Sequence, residues 1–271
     1  MGRIEEKFDE LKGKNEKALI AFIPAGDPDI ETTKALALEI EKRGADIIEI
    51  GVPFSDPLAD GPTIQKSYLR ALKKGISLKK IIKTVREMRQ KTDAPLVLMS
   101  SYNPIYRYGE NKFIGDAVSA GIDGVIIPDL PPEESDNLFN LSIKKGLDAI
   151  FLLAPTSDEE RIKLVCDMSR GFIYYISVTG ITGGGKLLSK DIKGMIKKIR
   201  GSTGLPLAVG FGISTPGQAK EIASCADGII VGSAIVKIIE RHAPGMTGGK
   251  NGLVKDVGDF IKSLKNAIGR Q

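Results

Sequence analysis

The chain has 271 residues, 42% of them hydrophobic and 27% charged, and 39 lysines and arginines against 34 acids give a formal charge of +5. That length accommodates one large core, and the mild, scattered basic excess shows no interleaved basic and aromatic patch, so nucleic acid is excluded as an expected partner. No apolar run reaches the ~18 residues of a membrane span, so no membrane association is expected. The charged start Met-Gly-Arg-Ile-Glu-Glu-Lys is unlike a signal peptide. Cys166 and Cys225 read as buried free thiols, which fits a reducing compartment, and a cytoplasmic protein is expected. With one histidine, His242, in a late loop, raw material is scarce for a His-based metal centre or a Ser/His or Cys/His nucleophile, and no metal is expected.

The periodicity predicts a short leading helix over 4–11, apolar at Ile4, Phe8 and Leu11. A buried strand over 18–23 runs into Pro24-Ala25-Gly26-Asp27-Pro28, and a helix over 30–43 stops at Gly44. The next strand begins with the β-branched run Ile47, Ile48 and Ile50, and holds one acid, Glu49. A loop stiffened by Pro53 and Pro57 follows, carrying Ser55, Asp56 and Asp60 before Gly61-Pro62 opens helices over 63–74 and 78–91. The alternation continues with a strand at 95–100, Tyr102-Asn103-Pro104 as a loop, a helix at 111–120 and a strand at 123–127. Pro131-Pro132 opens a helix that Gly146 ends. A strand over 148–153, a helix opened by Thr156-Ser157-Asp158-Glu159 and a strand over 172–178 come next. After a glycine-rich loop, a helix over 189–200, strand 205–209, helix 215–224 and strand 226–231 lead to closing helical segments near 268.

About eight strands alternating with helices call for an α/β fold with a parallel sheet, here a single (β/α)8 TIM barrel over 1–271 with an additional N-terminal helix. An open doubly wound sheet lacks its Gly-x-Gly-x-x-Gly signature after the first strand. No linker, second domain or half-barrel repeat stands out.

Barrel chemistry sits where strands end at their C-terminal side. Alternation puts Glu49 on the face of Ile47 and Gly51, opposite Ile48 and Ile50. A strand buried on both faces has no wet side for an acid, so Glu49 is either paired or held for proton transfer at a raised pKa. Asp60 before Gly-Pro suits a turn, and Asp129 before Leu130-Pro131-Pro132 suits a turn or a helix start. Phe211-Gly212-Ile213-Ser214 and Gly232-Ser233-Ala234 each precede a helix after the last two strands, where barrels commonly bind phosphate on backbone N–H groups, with Gly183 as a further contact; glycine also serves as plain turn punctuation. Phe22, Ile64, Met99, Tyr174 and Phe211 either line a flat apolar pocket or pack the core.

Several long stretches resemble one family, the tryptophan synthase α subunits. They are Ile47-Ile-Glu-Ile-Gly-Val-Pro-Phe-Ser-Asp-Pro-Leu-Ala-Asp-Gly-Pro-Thr-Ile-Gln65, Phe22-Ile-Pro-Ala-Gly-Asp-Pro28, Tyr102-Asn-Pro-Ile105, Pro128-Asp-Leu-Pro131, Ser177-Val-Thr-Gly-Ile-Thr-Gly183 and Gly210-Phe-Gly-Ile-Ser214. The resemblance implies a (β/α)8 barrel that cleaves indole-3-glycerol phosphate to indole and glyceraldehyde 3-phosphate without a cofactor, in tryptophan biosynthesis. It implies proton work at Glu49 and an indole N–H contact at Asp60. Thr182 would meet Asp60 on loop closure. Phe22 and Tyr174 would line the indole pocket, and Gly183, Gly212, Gly232 and Ser233 would hold the phosphate. It also implies a pyridoxal-phosphate β subunit as partner in an α2β2 heterotetramer, facing residues 53–60, Asn103-Pro104 and Pro131-Pro132. Two other readings remain. A Schiff-base aldolase needs a strand-end lysine, which the predicted strands lack. An allosteric module would not need both Glu49 and Asp60.

Overall fold

The computed structural model describes residues 2–176, 190–210, 212–242 and 249–269, with side chains of 190 and 191 not described. Its strands are β1 (Ala18–Pro24), β2 (Ile47–Gly51), β3 (Leu96–Met99), β4 (Gly124–Ile126), β5 (Asp148–Ile150), β6 (Leu152–Leu153), β7 (Ile173–Ile176), β8 (Leu207–Gly210) and β9 (Gly228–Val231). Every pairing is parallel, in the order β5-β4-β3-β2-β1-β9-β8-β7-β6. The two ends of that order, β5 and β6, are consecutive pieces of one predicted strand interrupted at Phe151. The sheet is therefore a nearly closed barrel. β5 pairs only with β4 and β6 only with β7, while the Phe151 N–H turns to the Ser169 hydroxyl, 3.3 Å away.

Strand alternation sorts the side chains into two layers. Ile20, Phe22, Ile47, Val97, Met99, Ile126, Ile150, Tyr174, Ala208 and Ile230 fill the barrel, and Ile48, Ile50, Leu98 and Val209 pack outward against the helices. The leading helix α1 (Arg3–Gly13) closes the N-terminal end of the barrel with Ile4, Phe8 and Leu11, all buried. The Phe8 ring sits 5.8 Å from that of Phe172. Burying three such side chains stabilises by about 1.5–3 kcal/mol each.

The surrounding helices are α2 (Ile30–Lys42), α3 (Pro62–Lys73), α4 (Leu78–Arg89), α5 (Tyr102–Tyr108), α6 (Glu110–Ala120), α7 (Asp136–Lys145), α8 (Glu159–Met168), α9 (Lys190–Ser202), α10 (Pro216–Ala223), α11 (Ser233–Arg241) and α12 (Gly249–Ile268). Several begin with recognisable chemistry. Asp29, Ser77, Asp158 and Thr215 accept from first-turn N–H groups of α2, α4, α8 and α10, and Pro62 opens α3.

Two readings of the sequence are corrected. Tyr102-Asn103-Pro104 is not a loop but the first turn of α5, where a proline's missing N–H costs no helical bond. Cys166 is buried but Cys225 only partly so, and both are free thiols. His242 caps the C-terminus of α11, with Nε2 2.9 Å from Asp256 Oδ2. Among the described residues, no helix is long and apolar enough to cross a membrane.

Candidate active site at the barrel mouth

Glu49 lies two residues before the C-terminal end of β2, between Ile48 and Ile50, which point outward. Its own side chain shares the inner layer with Ile47, and in the register it sits beside Phe22 on one strand and Val97 on the other. The carboxyl is fully buried, and neither oxygen has a hydrogen-bond partner among the described residues. An unpaired carboxylate in such a place is costly, so the acid holds its proton. Burial, and then the charge of Asp60, push Glu49 up to about 8.

Asp60 hangs over the mouth on the loop between β2 and α3, half-buried. Burial, and then the charge of Asp129, push it up to about 6. Gln65 in the first turn of α3 donates to the Asp60 carbonyl at 2.8 Å and so anchors the end of this loop. Asp129 follows β4 and accepts from the Tyr102 N–H at 2.8 Å, which makes it a helix-start residue for the neighbouring α5 as well as a third acid near Asp60. A small cavity of about 10 Å³ lies between these groups, lined by Val52, Asp60, Tyr68, Met99 and Asp129 among others.

The apolar wall is built around two missing side chains. A Cβ at Gly51 would lie 2.5 Å from Phe22 Cζ and 2.6 Å from the Tyr68 hydroxyl oxygen. A Cβ at Gly210 would lie 2.7 Å from Tyr174 Cε2. Glycine at these strand ends lets three aromatic rings crowd the mouth. Phe22 and Tyr174 are buried in the inner layer, and Ile64 packs against it from α3. Burial, and then the charges of Glu49 and Asp60, hold the Tyr174 phenol well above its ordinary range.

On the far side, α10 caps itself. Thr215 and Gln218 form a reciprocal capping box. By contrast α11 starts at Gly232-Ser233 with no side-chain cap, so no capping side chain satisfies its first N–H groups. Gly212, exposed at φ +44°, stands in the preceding loop. An uncapped helix start beside a glycine turn is chemically suited to an anion. Of the residues expected here, Thr182, Gly183 and Phe211 lie outside the described residues.

The structure thus brings Glu49, Asp60, Phe22, Ile64 and Tyr174 to one end of the barrel, with Gly212, Gly232 and Ser233 on the rim of that end. Sequence reasoning missed Tyr68. Its only signal was the four-residue step from Ile64 along α3, which places both on one helix face. A larger cavity of about 510 Å³ opens at the opposite end, beneath α1, lined by Phe8, Lys12, Lys17, Asp148, Arg170 and Arg200 among others. It holds none of the mouth's acids, and barrel chemistry belongs to the other face.

A protonated carboxyl among aromatic rings, a second acid poised to ionise and an uncapped helix start across the opening suit proton transfer to a flat, phosphate-bearing ligand. Comparison with known proteins agrees. A model of the family "Tryptophan synthase alpha chain" matches residues 8–268. The chain is 52% identical over 268 residues to the tryptophan synthase alpha chain of Geotalea uraniireducens, covering 99% of this chain and 98% of that one. It is 54% identical over 243 residues to that of Geotalea daltonii, covering 90% and 92%. The crystal structure of the alpha chain from Legionella pneumophila superposes with a TM-score of 0.89 at 37% identity, covering 99% and 97%. The tryptophan synthase complex from Pyrococcus furiosus gives 0.82 at 34%, covering 92% and 98%. With its barrel, its mouth and nearly its whole length in common with these proteins, this chain belongs to the tryptophan synthase alpha chain family.

Proposed function

We propose that this chain performs its family's lyase reaction, retro-aldol cleavage of indole-3-glycerol phosphate to indole and glyceraldehyde 3-phosphate, with Glu49 and Asp60 handling the protons and charge. The observation that carries this reading is the Glu49 carboxyl, fully buried, without a hydrogen-bond partner among the described residues and pushed up to about 8, so that it is protonated and ready to donate near neutral pH.

Glu49 delivers its proton to C3 of the indole, and the ring becomes an iminium cation. Asp60, ionised above about 6, offsets the positive charge on the ring nitrogen. The hydroxyl on the adjacent side-chain carbon loses its proton, the bond from that carbon to C3 breaks, and its electrons return to the ring. Indole and an aldehyde result. The hydroxyl proton restores Glu49, so the inventory closes with proton movements alone and the reading invokes no cofactor. Phe22, Ile64, Tyr174 and Phe211 flank the indole, Thr182 meets Asp60, and Gly183, Gly212, Gly232 and Ser233 hold the phosphate.

Residues 1–271 act as one barrel domain in the cytoplasm, paired with a β subunit in an α2β2 assembly that consumes the indole. Leu58, 86% exposed on the loop after β2, and Tyr106, 67% exposed on α5, support a docking face on the mouth side. An indole-release assay on the purified chain, with and without the β subunit, tests the function. Release is expected from the chain alone and faster with the partner. Glu49→Gln is expected to lower turnover by about 10²–10⁴-fold while sparing affinity for the phosphate end. Undiminished turnover in that variant removes Glu49 from its role.

A further inference from the structure

Tyr68 carries a buried hydroxyl on the Asp60 side of the mouth that the mechanism above does not use. Three observations aim it there. The buried face of α3 is Ser67, Tyr68 and Ala71. The residues on either side of Tyr68 on that helix are tied to one buried carboxylate. Asp27, fully buried on the loop after β1, accepts from the Ser67 hydroxyl and takes a two-point contact from Arg70, Nε to Oδ1 at 3.0 Å and a terminal nitrogen to Oδ2 at 2.7 Å. That clamp fixes the rotation of α3 about its axis. Finally, the Tyr68 oxygen lies against Gly51, two residues beyond Glu49 on the same face of β2, and Tyr68 lines the same cavity as Asp60.

We propose that Tyr68 is a positioning residue for Asp60, its hydroxyl donating to the Asp60 carboxylate once that acid is ionised. This rests on the retro-aldol reading. The groups around Asp60 are acids or neutral: Glu49 from β2, Asp129 after β4, Tyr68 from α3 and Tyr174 from β7. The Asp60 carboxylate accepts no hydrogen bond from a described side chain, and Ser100 spends its hydroxyl on the Ser101 carbonyl at 2.9 Å. Burial, then the charges of Asp60 and Glu49, keep Tyr68 neutral far above ordinary pH, so it faces those acids as a donor. A hydrogen bond to the ionised form lowers a carboxyl's pKa. Tyr68 thereby keeps Asp60 charged against the burial and the Asp129 charge that drive it the other way.

Tyr68→Phe keeps the ring that fills the space by Gly51 and removes only the oxygen. In steady-state kinetics on indole-3-glycerol phosphate, kcat is expected to fall about 10–100-fold, with KM changed less than about twofold. The acid limb of kcat/KM is expected to move to higher pH by about 0.5 or more, and a carbon-detected NMR titration of the Asp60 carboxyl to move the same way without substrate turnover. Two results overturn the proposal. One is a kcat within twofold of the parent with an unmoved acid limb. The other is a rise in KM and a loss of thermal stability with an unmoved Asp60 titration, the pattern of packing alone. Should the parent release no indole, the retro-aldol reading fails, and the Asp60 titration still judges Tyr68 by itself.

Discussion

Glu49 is the residue on which energy and function pull in opposite directions. Its carboxyl is raised from an ordinary 4.5 to about 8 by the fold. Below 4.5 folded and unfolded chains both hold the proton, and nothing is lost. Between 4.5 and about 8 the unfolded chain ionises while the folded one does not, so stability drains away as pH rises through that window. Asp60 adds a smaller drain of the same sign between 3.8 and about 6. Glu49→Gln removes the larger of these. Urea unfolding of parent and variant should diverge with pH, the variant gaining by a few kcal/mol at pH 8 relative to its standing at pH 4. A constant gap would mean that Glu49 ionises in the fold as easily as in water. Glu49 was legible because Ile-Ile-Glu-Ile leaves one acid nowhere wet to go. Tyr68 was not, because a tyrosine on the apolar face of an amphipathic helix reads as core. What surrounds its oxygen is contributed by Gly51 and Asp60, which the pattern of α3 does not contain.

Among the elements, α3 shows how a helix is aimed rather than merely packed. The Asp27 clamp joins the first βα loop to α3, and Arg70 reaches on towards Glu240 of α11 at 3.6 Å. Arg70→Ala leaves the Asp27 carboxylate fully buried with only the Ser67 hydroxyl beside it. It should cost about 3 kcal/mol in urea unfolding, because removing one partner of a buried pair strands the other. A loss within 0.5 kcal/mol, the range of an ordinary surface change, would show the clamp to be ornamental. Element positions were largely readable from strand and helix periods, as with β1, β2 and α2, whose ends carry Gly and Asp signals. The seven-residue α5 was hidden, since Tyr-Asn-Pro reads as a turn and only an upstream N-cap, Ser101, distinguishes it. An internal repeat also escaped notice. Gly44-Ala45-Asp46, Gly121-Ile122-Asp123, Gly146-Leu147-Asp148 and Cys225-Ala226-Asp227 each lead into a strand. Three of these aspartates accept from the first N–H groups of the neighbouring strand, at Leu19, Leu96 and Leu207, over 2.7, 2.8 and 2.9 Å. Each of the three also pairs with a cation, Lys265, Arg89 or Arg200.

At the scale of the whole molecule, cohesion and chemistry occupy opposite ends of one ring. The N-terminal rim is stitched by those aspartates and plugged by α1, and the C-terminal mouth keeps its acids unpaired among aromatic rings. The fourth aspartate, Asp148, breaks the pattern. No described group donates to it, and burial, then Asp123 and Glu5, push it up to about 6. It stands at the start of β5, the strand that changes partners at Phe151. That handover is the clasp of the bracelet, diametrically across from β1. A ring with a single clasp opens there first, so backbone amide exchange at Leu152 and Leu153 should outpace exchange at Ile48 and Ile50, read by NMR or mass spectrometry. The strand that carries Glu49 stays fastened on both sides while the far wall breathes, which lets the molecule flex without unseating that buried carboxyl.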